Sequence, residues 1–475
     1  MSTPNTHFGA AEIAHLLKNA RKLFFIGIGG VNMSSLAELS LKAGYAVSGS
    51  DKTETALTDA LSEKGITVYY SHDASHVRDC DAVIYTVAIA PDNPEYASAK
   101  ANGIPCISRA DYLGYIMMAY KCRIGISGMH GKSTTTSMCE LAFSDAGADP
   151  TVLCGAVMPD AGSTYKIGNS EFFVFEACEY MDSFLDFNPT VAVILNIEMD
   201  HVDYFENLTQ IRRSFGNFAA ITGQAGLVIA NADDDNVRLA LNTYQGTIVT
   251  FSAKEKKYPE DDDPADFYVA NTDMSRGLPS FDIVCRGDII SHVDLSVPGR
   301  HNIYNALATF ATAVSLGLDP EAAVAGIARF TGAERRMELK GRFNGADVYD
   351  DYGHHPTEVA ATLRGCREMG YEHVYCVFQS HTYSRTFKLF DDFVSALKLA
   401  DMTIVADIYA AREKETFGVS GQSLAEAIGQ SGEYYPDYEE MAQRLAGVAH
   451  ERDAIVVMGA GDIYKLFPYL GLQKD

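Results

Sequence analysis

The sequence predicts an α/β protein of three domains: a Rossmann-like N-terminal domain, a central domain with a P-loop ATPase-like parallel or mixed sheet, and a C-terminal Rossmann-like α/β domain. Three observations predict this. The chain has 475 residues, enough for about three domains of roughly 150 residues each. Short bulky apolar runs alternate with helical patterns along the chain, as parallel α/β units require. Twice, a strand-like run enters a glycine-rich turn and then a helix, in "LFFIGIGGVNMSSLAEL" and "CRIGISGMHGKSTTT". Backbone amides at such a turn hold anions at the helix start. The expected divisions are 1–109, 110–331 and 332–475.

In the first division "LFFIGI" suits a buried parallel strand. A helix pattern follows through Leu36, Leu39 and Leu41, then a strand "YAVSGSD" ending on Asp51. A third strand is expected over "DAVIYTVAI" (81–89), with "PDNPEY" as loop and helix start. The turn has Gly27, Gly29 and Gly30, but Asn32 stands where a dinucleotide fingerprint has its third glycine. The spacing fits either a plain tight turn or a phosphate site, and does not separate NAD from another nucleotide. A turn of the expected kind would give Asn32 a positive φ, or else the turn differs.

The second division carries "GMHGKSTTTSM" (128–138). It misses the strict G-x-x-x-x-G-K-[ST] pattern, because Ile126 stands five residues before Gly131. Its strand–loop–helix context is nonetheless that of a phosphate loop. Gly128 and Gly131 let backbone approach an anion, Lys132 supplies a point charge, and Ser133 offers a hydroxyl to Mg²⁺. His130 reads as a loop histidine, and Thr134 as a nucleotide contact or a packing residue. The helix should close at Gly147. Strands "FFVFEACEY" (172–180) and "VAVILNIEMDHVDYF" (191–205) bring Glu176, Glu179, Asn196, Glu198, Asp200, His201 and Asp203 toward strand ends, where α/β sheets bind ligands. Carboxylates with one imidazole suit Mg²⁺, with Mn²⁺ as an alternative. "KEKKYPEDDDPAD" (254–266) reads as a solvated insertion. Before "IYNALATFATAVSLG" come His301 and Asn302, with Asn305 a turn further on; Asn302 fits helix capping or adenine recognition equally.

The third division has "GADVYDDYGHHPTEVAATL" and "HVYCVFQSHTYSRTFKLFDDF", each a strand, polar residues and a helix. "MTIVADIYAAREKETFGVSG" and "AIVVMGAGDIYKLF" add two strands. No internal repeat of 20–50 residues occurs.

A net charge of −25 argues against a nucleic-acid partner. Nine dispersed cysteines without metal spacing suit a reducing cytoplasm. The opening residues lack signal-peptide organisation, and no apolar run approaches the roughly 20 residues that span a membrane. One phosphate loop with metal-capable clusters suggests phosphoryl transfer from ATP; a carboxylate-activating ligase and a kinase would share the middle division.

The sequence resembles the Mur ligases over almost its whole length. The resemblance rests on the ordered series "GIGGVNMSSLA", "GMHGKSTTT", "EACEYMDSFL", "NIEMDHVDYF", "VPGRHNIYNA", "RRMELKG", "DDYGHHPTE", "FQSHTYSRT" and "GAGDIYK". "DDYGHHPTE" with "FQSHTYSRT" favours the alanine-adding branch. The resemblance implies that the lactyl carboxylate of UDP-N-acetylmuramate attacks the γ-phosphate of ATP, and that L-alanine then displaces phosphate from the acyl phosphate. It implies ATP contacts at Gly128, Met129, His130, Gly131, Lys132, Ser133, Thr134, His301, Asn302, Asn305 and Asp351. It implies UDP-sugar contacts at Gly29, Gly30, Met33, Ser34 and Asp51. Metal ligands would be Ser133 and Glu176, with His201 on a second Mg²⁺. Lys132, His201, Arg336, His381 and Arg385 would be the catalytic set.

Several relatives support their metals with a carbamylated lysine. No lysine occurs between Lys166 and Lys254, so no carbamate is expected. Met129 replaces a threonine, and Thr382 stands where some alanine-adding enzymes have arginine. Glycine or serine therefore stay open beside alanine. A peptide-recycling muramate–tripeptide ligase would share most of these motifs, whereas an NAD-dependent oxidoreductase would leave Lys132 unused. Monomer and homodimer both stay open. Three units on short linkers are expected to move and close around their substrates.

Overall fold

Three sheets follow one another along the chain, in the computed structural model that describes residues 3–202, 204–255, 265–275, 277–411 and 413–472. Most of the charged run 254–266, and Asp203, fall outside the described residues.

The first sheet has β1 (Lys22–Ile26), β2 (Ala46–Ser50), β3 (Thr67–Tyr69), β4 (Ala82–Tyr85) and β5 (Cys106–Ser108) in the order β3-β2-β1-β4-β5. All its pairings are parallel. Short β3 and β5 are additions to the expected strands. The strand expected over 81–89 ends at Tyr85, because the chain then turns and Ile89 N–H bonds back to the Thr86 carbonyl. Asn32 lies inside the helix Val31–Lys42 and has no positive φ. The turn is made instead by Gly27, at φ 80°, so the missing third glycine is not needed for it.

The central sheet has ten strands: β6 (Cys122–Ser127), β7 (Thr151–Met158), β8 (Ser163–Lys166), β9 (Phe172–Glu176), β10 (Val191–Ile194), β11 (Leu227–Asn231), β12 (Thr247–Ser252), β13 (Phe267–Asp273), β14 (Ser280–Cys285) and β15 (Asp288–Asp294). Their order is β15-β14-β13-β12-β11-β10-β6-β9-β7-β8. The interior pairs are parallel and the outer hairpins antiparallel, a mixed sheet. Two expected strands are shorter than read. The 172–180 run leaves the sheet after Glu176, and the 191–205 run leaves it after Ile194, where its residues turn polar and serve loops.

The last sheet has β16 (Glu338–Phe343), β17 (Ala346–Asp351), β18 (Val374–Phe378), β19 (Met402–Val405), β20 (Gly432–Tyr434) and β21 (Ala454–Met458), ordered β16-β17-β21-β18-β19-β20. Only edge strand β16 pairs antiparallel. β18 and β21 are buried along their whole length, which explains their unbroken apolar sequences.

The cores differ in continuity. One apolar cluster runs from Leu23, Phe25 and Leu36 of the first unit to Phe173, Phe184 and Phe215 of the central one. Helix Arg109–Ile116 packs so closely there that a Cβ on Gly114 would lie 2.2 Å from the Asp186 carbonyl oxygen. The two main clusters of the last unit contain no residue of the other two. Its seam with the central unit is polar. An apolar junction resists separation more than a polar one.

Candidate functional site at the seam of the central and last units

The phosphate loop joins β6 to the helix Lys132–Asp145. Gly131 caps that helix at φ 85°, and a Cβ there would lie 2.5 Å from Asn305 Oδ1. Glycine is therefore required by conformation and by space. Asn196 clamps the loop: its Oδ1 accepts from His130 N–H at 2.8 Å and its Nδ2 donates to the His130 carbonyl at 3.0 Å. Met129 turns away from the loop into the apolar core, 6% exposed. Apolar burial is what makes methionine acceptable there.

Lys132 folds back. Its ammonium donates to the Gly128 and Met129 carbonyls and lies 3.1 Å from Glu179 Oε2. Glu179 is fully buried, and its Oε1 lies 2.9 Å from His201 Nε2. Burial alone would raise the Glu179 carboxyl, but Lys132 and His201 outweigh it and hold it below the usual range. Glu176 sits apart from that chain. Its carboxylate accepts from Gly155 N–H and lies 3.2 Å from Cys154 Sγ, which also contacts the Ser133 carbonyl and the Ser137 hydroxyl.

A cavity of about 550 Å³ opens beside the loop. His130, Gly131, Ser133, Thr134, His301, Asn302, Asn305, Arg336 and Asp351 all line it, so residues from two units meet at one site. Gly128, Met129 and Lys132 are not in the lining. Asn302 is inside the helix His301–Ser315, whose N-cap is Arg300; its Nδ2 donates to the Pro298 carbonyl at 2.7 Å. Of the two readings, capping therefore fails. Asn305 donates to Asn302 Oδ1 and accepts from Thr135, bracing the loop. Burial lifts the Asp351 carboxyl to about 6 and lowers His301 to about 4.

The seam is held by charged pairs. His130 touches Glu198 and lies 3.0 Å from Glu358, which belongs to the helix Pro356–Glu368. Burial opposes its protonation, yet Glu358 and Glu198 outweigh that and raise its pKa to about 10. Thr357 donates to Glu198 at 2.7 Å, and Arg385 Nε lies 2.9 Å from Asp200 Oδ1. Both members of the latter pair are buried. Arg385 Nη1 also donates to the His381 carbonyl at 3.3 Å. Arg385 thus stands over Asp200 with His381 beside it, and neither is in the cavity lining.

The first unit holds its predicted set elsewhere. Gly29 N–H donates to Asp51 Oδ2 at 2.9 Å, closing the glycine turn on the end of β2. Gly30 caps the helix Val31–Lys42, while the Met33 and Ser34 side chains are buried beneath it.

Three family models match in series: "Mur ligase family, catalytic domain" over residues 22–121, "Mur ligase middle domain" over 126–313, and "Mur ligase, glutamate ligase domain" over 335–461. The chain belongs to the Mur ligase family. The UDP-N-acetylmuramate–L-alanine ligase of Caldicellulosiruptor saccharolyticus is 44% identical over 448 residues, covering 94% of this chain and 97% of that protein. The same-named enzyme of Clostridium novyi is 41% identical, covering 95% and 97%. Among solved structures, the UDP-N-acetylmuramate–alanine ligase of Thermotoga maritima superposes with TM-score 0.77 at 28% identity, covering 95% of this chain and 98% of that one. A murein peptide ligase of Psychrobacter arcticus shares the fold at TM-score 0.71 and 23% identity.

For this Mur ligase, sequence reasoning singled out the loop, the asparagines and the histidines, but missed several residues at the site. Glu358 was hidden as an ordinary acid in a helix's first turn. Asn231, at the end of β11, and Asp233 and Asp234 just beyond it line the cavity. Their signal was legible: "LVIAN" followed by acids repeats the strand-then-polar pattern used elsewhere.

Proposed function

We propose that this Mur ligase uses ATP to join L-alanine to the lactyl carboxylate of UDP-N-acetylmuramate, giving UDP-N-acetylmuramoyl-L-alanine, ADP and phosphate for peptidoglycan synthesis. The observation that carries the reading is the two-unit cavity beside a phosphate loop, in a chain 44% identical to a ligase of that name. We assign UDP-sugar binding to 1–109, ATP binding to 110–331 and amino-acid binding to 332–475.

In this reading the carboxylate oxygen attacks the γ-phosphorus, the bond to the bridging oxygen breaks, and ADP leaves. The amine then attacks the acyl carbon, loses a proton, and expels inorganic phosphate. Charge is dispersed over the transferring phosphoryl group, so the protein's part is positioning and electrostatics. Lys132 leaves Glu179 to meet the β- and γ-phosphate oxygens. Loop amides from Gly128 to Thr134 cradle the phosphates. His301, Asn302 and Asn305 bound the nucleotide, and Asp351 approaches its ribose. Arg336, His381 and Arg385 gather phosphate and amino acid at the seam. Gly29, Gly30, Met33, Ser34 and Asp51 frame the UDP moiety.

The donor set fits magnesium. Ser133 lines the cavity, the Glu179 carboxylate meets the His201 imidazole at 2.9 Å, and Glu176 lies apart beside Cys154; between them they offer oxygen donors and one nitrogen. Glu179 joins Ser133, Glu176 and His201 as a proposed ligand because it already contacts His201. When bound, the cation offsets repulsion between the carboxylate and the phosphates.

The test is phosphate release with ATP, UDP-N-acetylmuramate and L-alanine, omitting each in turn. Release is expected only with all three; release without the amino acid or the sugar overturns the reading. Competing a tripeptide against L-alanine separates this activity from peptide recycling, which predicts preference for the tripeptide.

A further inference from the structure

A second cluster of ligand atoms lies away from the cavity, where three stretches of chain meet. The segment Thr3–Gly9 runs as a strap over the carboxyl edge of the first sheet. Thr3 N–H donates to the Val87 carbonyl at 3.2 Å, and its hydroxyl to Ile89 at 3.0 Å. The Pro4 carbonyl accepts from the buried Tyr85 at 2.6 Å. Tyr85 ends β4, the strand next to β1, so the strap covers the edge that also carries Gly29 and Asp51. Further on, the Thr6 hydroxyl donates to Asp111 Oδ2, and Phe8 N–H donates to the same oxygen at 3.0 Å. Between them, His7 Nδ1 lies 2.9 Å from Asp186 Oδ1. Asp111 belongs to the helix Arg109–Ile116, and Asp186 closes the turn Tyr180–Asp186 of the central unit.

One ligand atom each from His7, Asp111 and Asp186 falls within 4.8 Å of the others. The remaining oxygens are the informative ones. Asp111 Oδ1 and Asp186 Oδ2 are both buried without a hydrogen-bond partner, and Asp111 is only 1% exposed. A buried acceptor shut off from water costs free energy unless something replaces the water. Two carboxylates side by side double the demand, and one partly exposed imidazole does not reach both orphan oxygens. Two carboxylates and one imidazole suit Mn²⁺ or Zn²⁺, and the exposed side of His7 leaves room for waters.

We propose that His7, Asp111 and Asp186 form a binding site for a divalent transition-metal cation, separate from the nucleotide cavity, that clasps the Thr3–Gly9 strap to the first and central units. The clasp would steady the sheet edge on which the UDP-sugar set lies, without touching the reacting atoms.

The experiment uses the full chain, dialysed against chelator and free of nucleotide, titrated with Mn²⁺ while free Mn²⁺ is read by electron paramagnetic resonance. His7→Ala is the main variant, because its side chain is 64% exposed and its removal leaves the core untouched. Asp186→Asn is the second. Wild type is expected to bind one more Mn²⁺ than either variant, or to bind it at least about tenfold more tightly. Mn²⁺ should also raise the melting temperature of wild type and not of His7→Ala, while phosphate release at saturating Mg²⁺ and ATP stays equal in the two. Identical Mn²⁺ titrations for wild type and His7→Ala overturn the site. So does a melting temperature that rises on acidification yet ignores Mn²⁺, which would mean that the two carboxylates share a proton.

Discussion

One carboxylate, that of Glu179, holds the Lys132 ammonium at 3.1 Å and the His201 imidazole at 2.9 Å, entirely out of solvent. Glu179 is the anion that faces the Lys132 ammonium. Lys132 is thus kept charged, since Glu179 outweighs the burial that would otherwise lower its pKa.

Lys132→Ala should therefore remove turnover, with kcat/KM falling by about 10³ or more, because the ammonium acts on charge developing in the transition state. UDP-sugar binding, measured by calorimetry, should stay within about twofold, since the UDP moiety is assigned to another unit, away from this ammonium. Loss of both would refute the assignment of the two ligands to separate units.

Glu179→Gln strips the anion from a buried ammonium. Breaking a buried pair in this way costs about 3–5 kcal/mol. ATP should restore part of it by supplying phosphate oxygens. The melting-temperature rise on adding ATP is then larger in the variant than in wild type; an equal rise in both would count against Lys132 moving from Glu179 to phosphate.

His130 makes the seam sensitive to alkali. Its folded pKa, about 10, lies above its ordinary value of 6.5. The stability it contributes is complete below about pH 6.5 and drains away as pH climbs toward 10. Melting temperature should fall over that window, and the fall should shrink in His130→Gln. His354 works in the other direction: burial lowers it to about 3, so its contribution is full above about pH 6.5 and lost as pH falls.

The Arg385–Asp200 pair joins the last unit to the central one and is buried on both sides. Asp200→Ala should cost about 3–5 kcal/mol and loosen that unit alone. Small-angle scattering without ligands should give a larger radius for the variant than for wild type, with ligands narrowing the gap. Equal radii in all four samples would argue against a swinging last unit.

Thr382 has φ 70°, ψ 141°, which a β-branched residue rarely adopts. Thr382→Gly should relieve about 1 kcal/mol of strain and raise the denaturant midpoint. A lower midpoint would mean that the threonine's contacts outweigh the strain.

Local patterns carried much of this. Apolar runs located most strands, including β1, β6, β18 and β21, because burial of a parallel strand is written in consecutive residues. Glycine spacing located the strand–loop–helix turn capped by Gly131, despite its irregular spelling. Runs that mixed apolar and polar residues misled: 81–89 and 191–205 still carry apolar residues among polar ones past the last ladder bond, and sequence does not show where pairing stops. Short β3 and β5 were too brief to register.

By itself the sequence determined the α/β class, the order of the three units, the loop with Lys132 and Ser133, and the polar residues at strand ends. Each follows from neighbours a few residues apart. Tertiary structure alone decided which of two nearby acids meets Lys132, that Glu358 reaches His130, that Arg385 pairs with Asp200, and that Met129 turns inward. Those partners are 47 to more than 180 residues apart or depend on which way a side chain points. Spacing along a chain fixes the face a residue occupies, but the charge or cavity opposite it comes from another segment and exists only after folding.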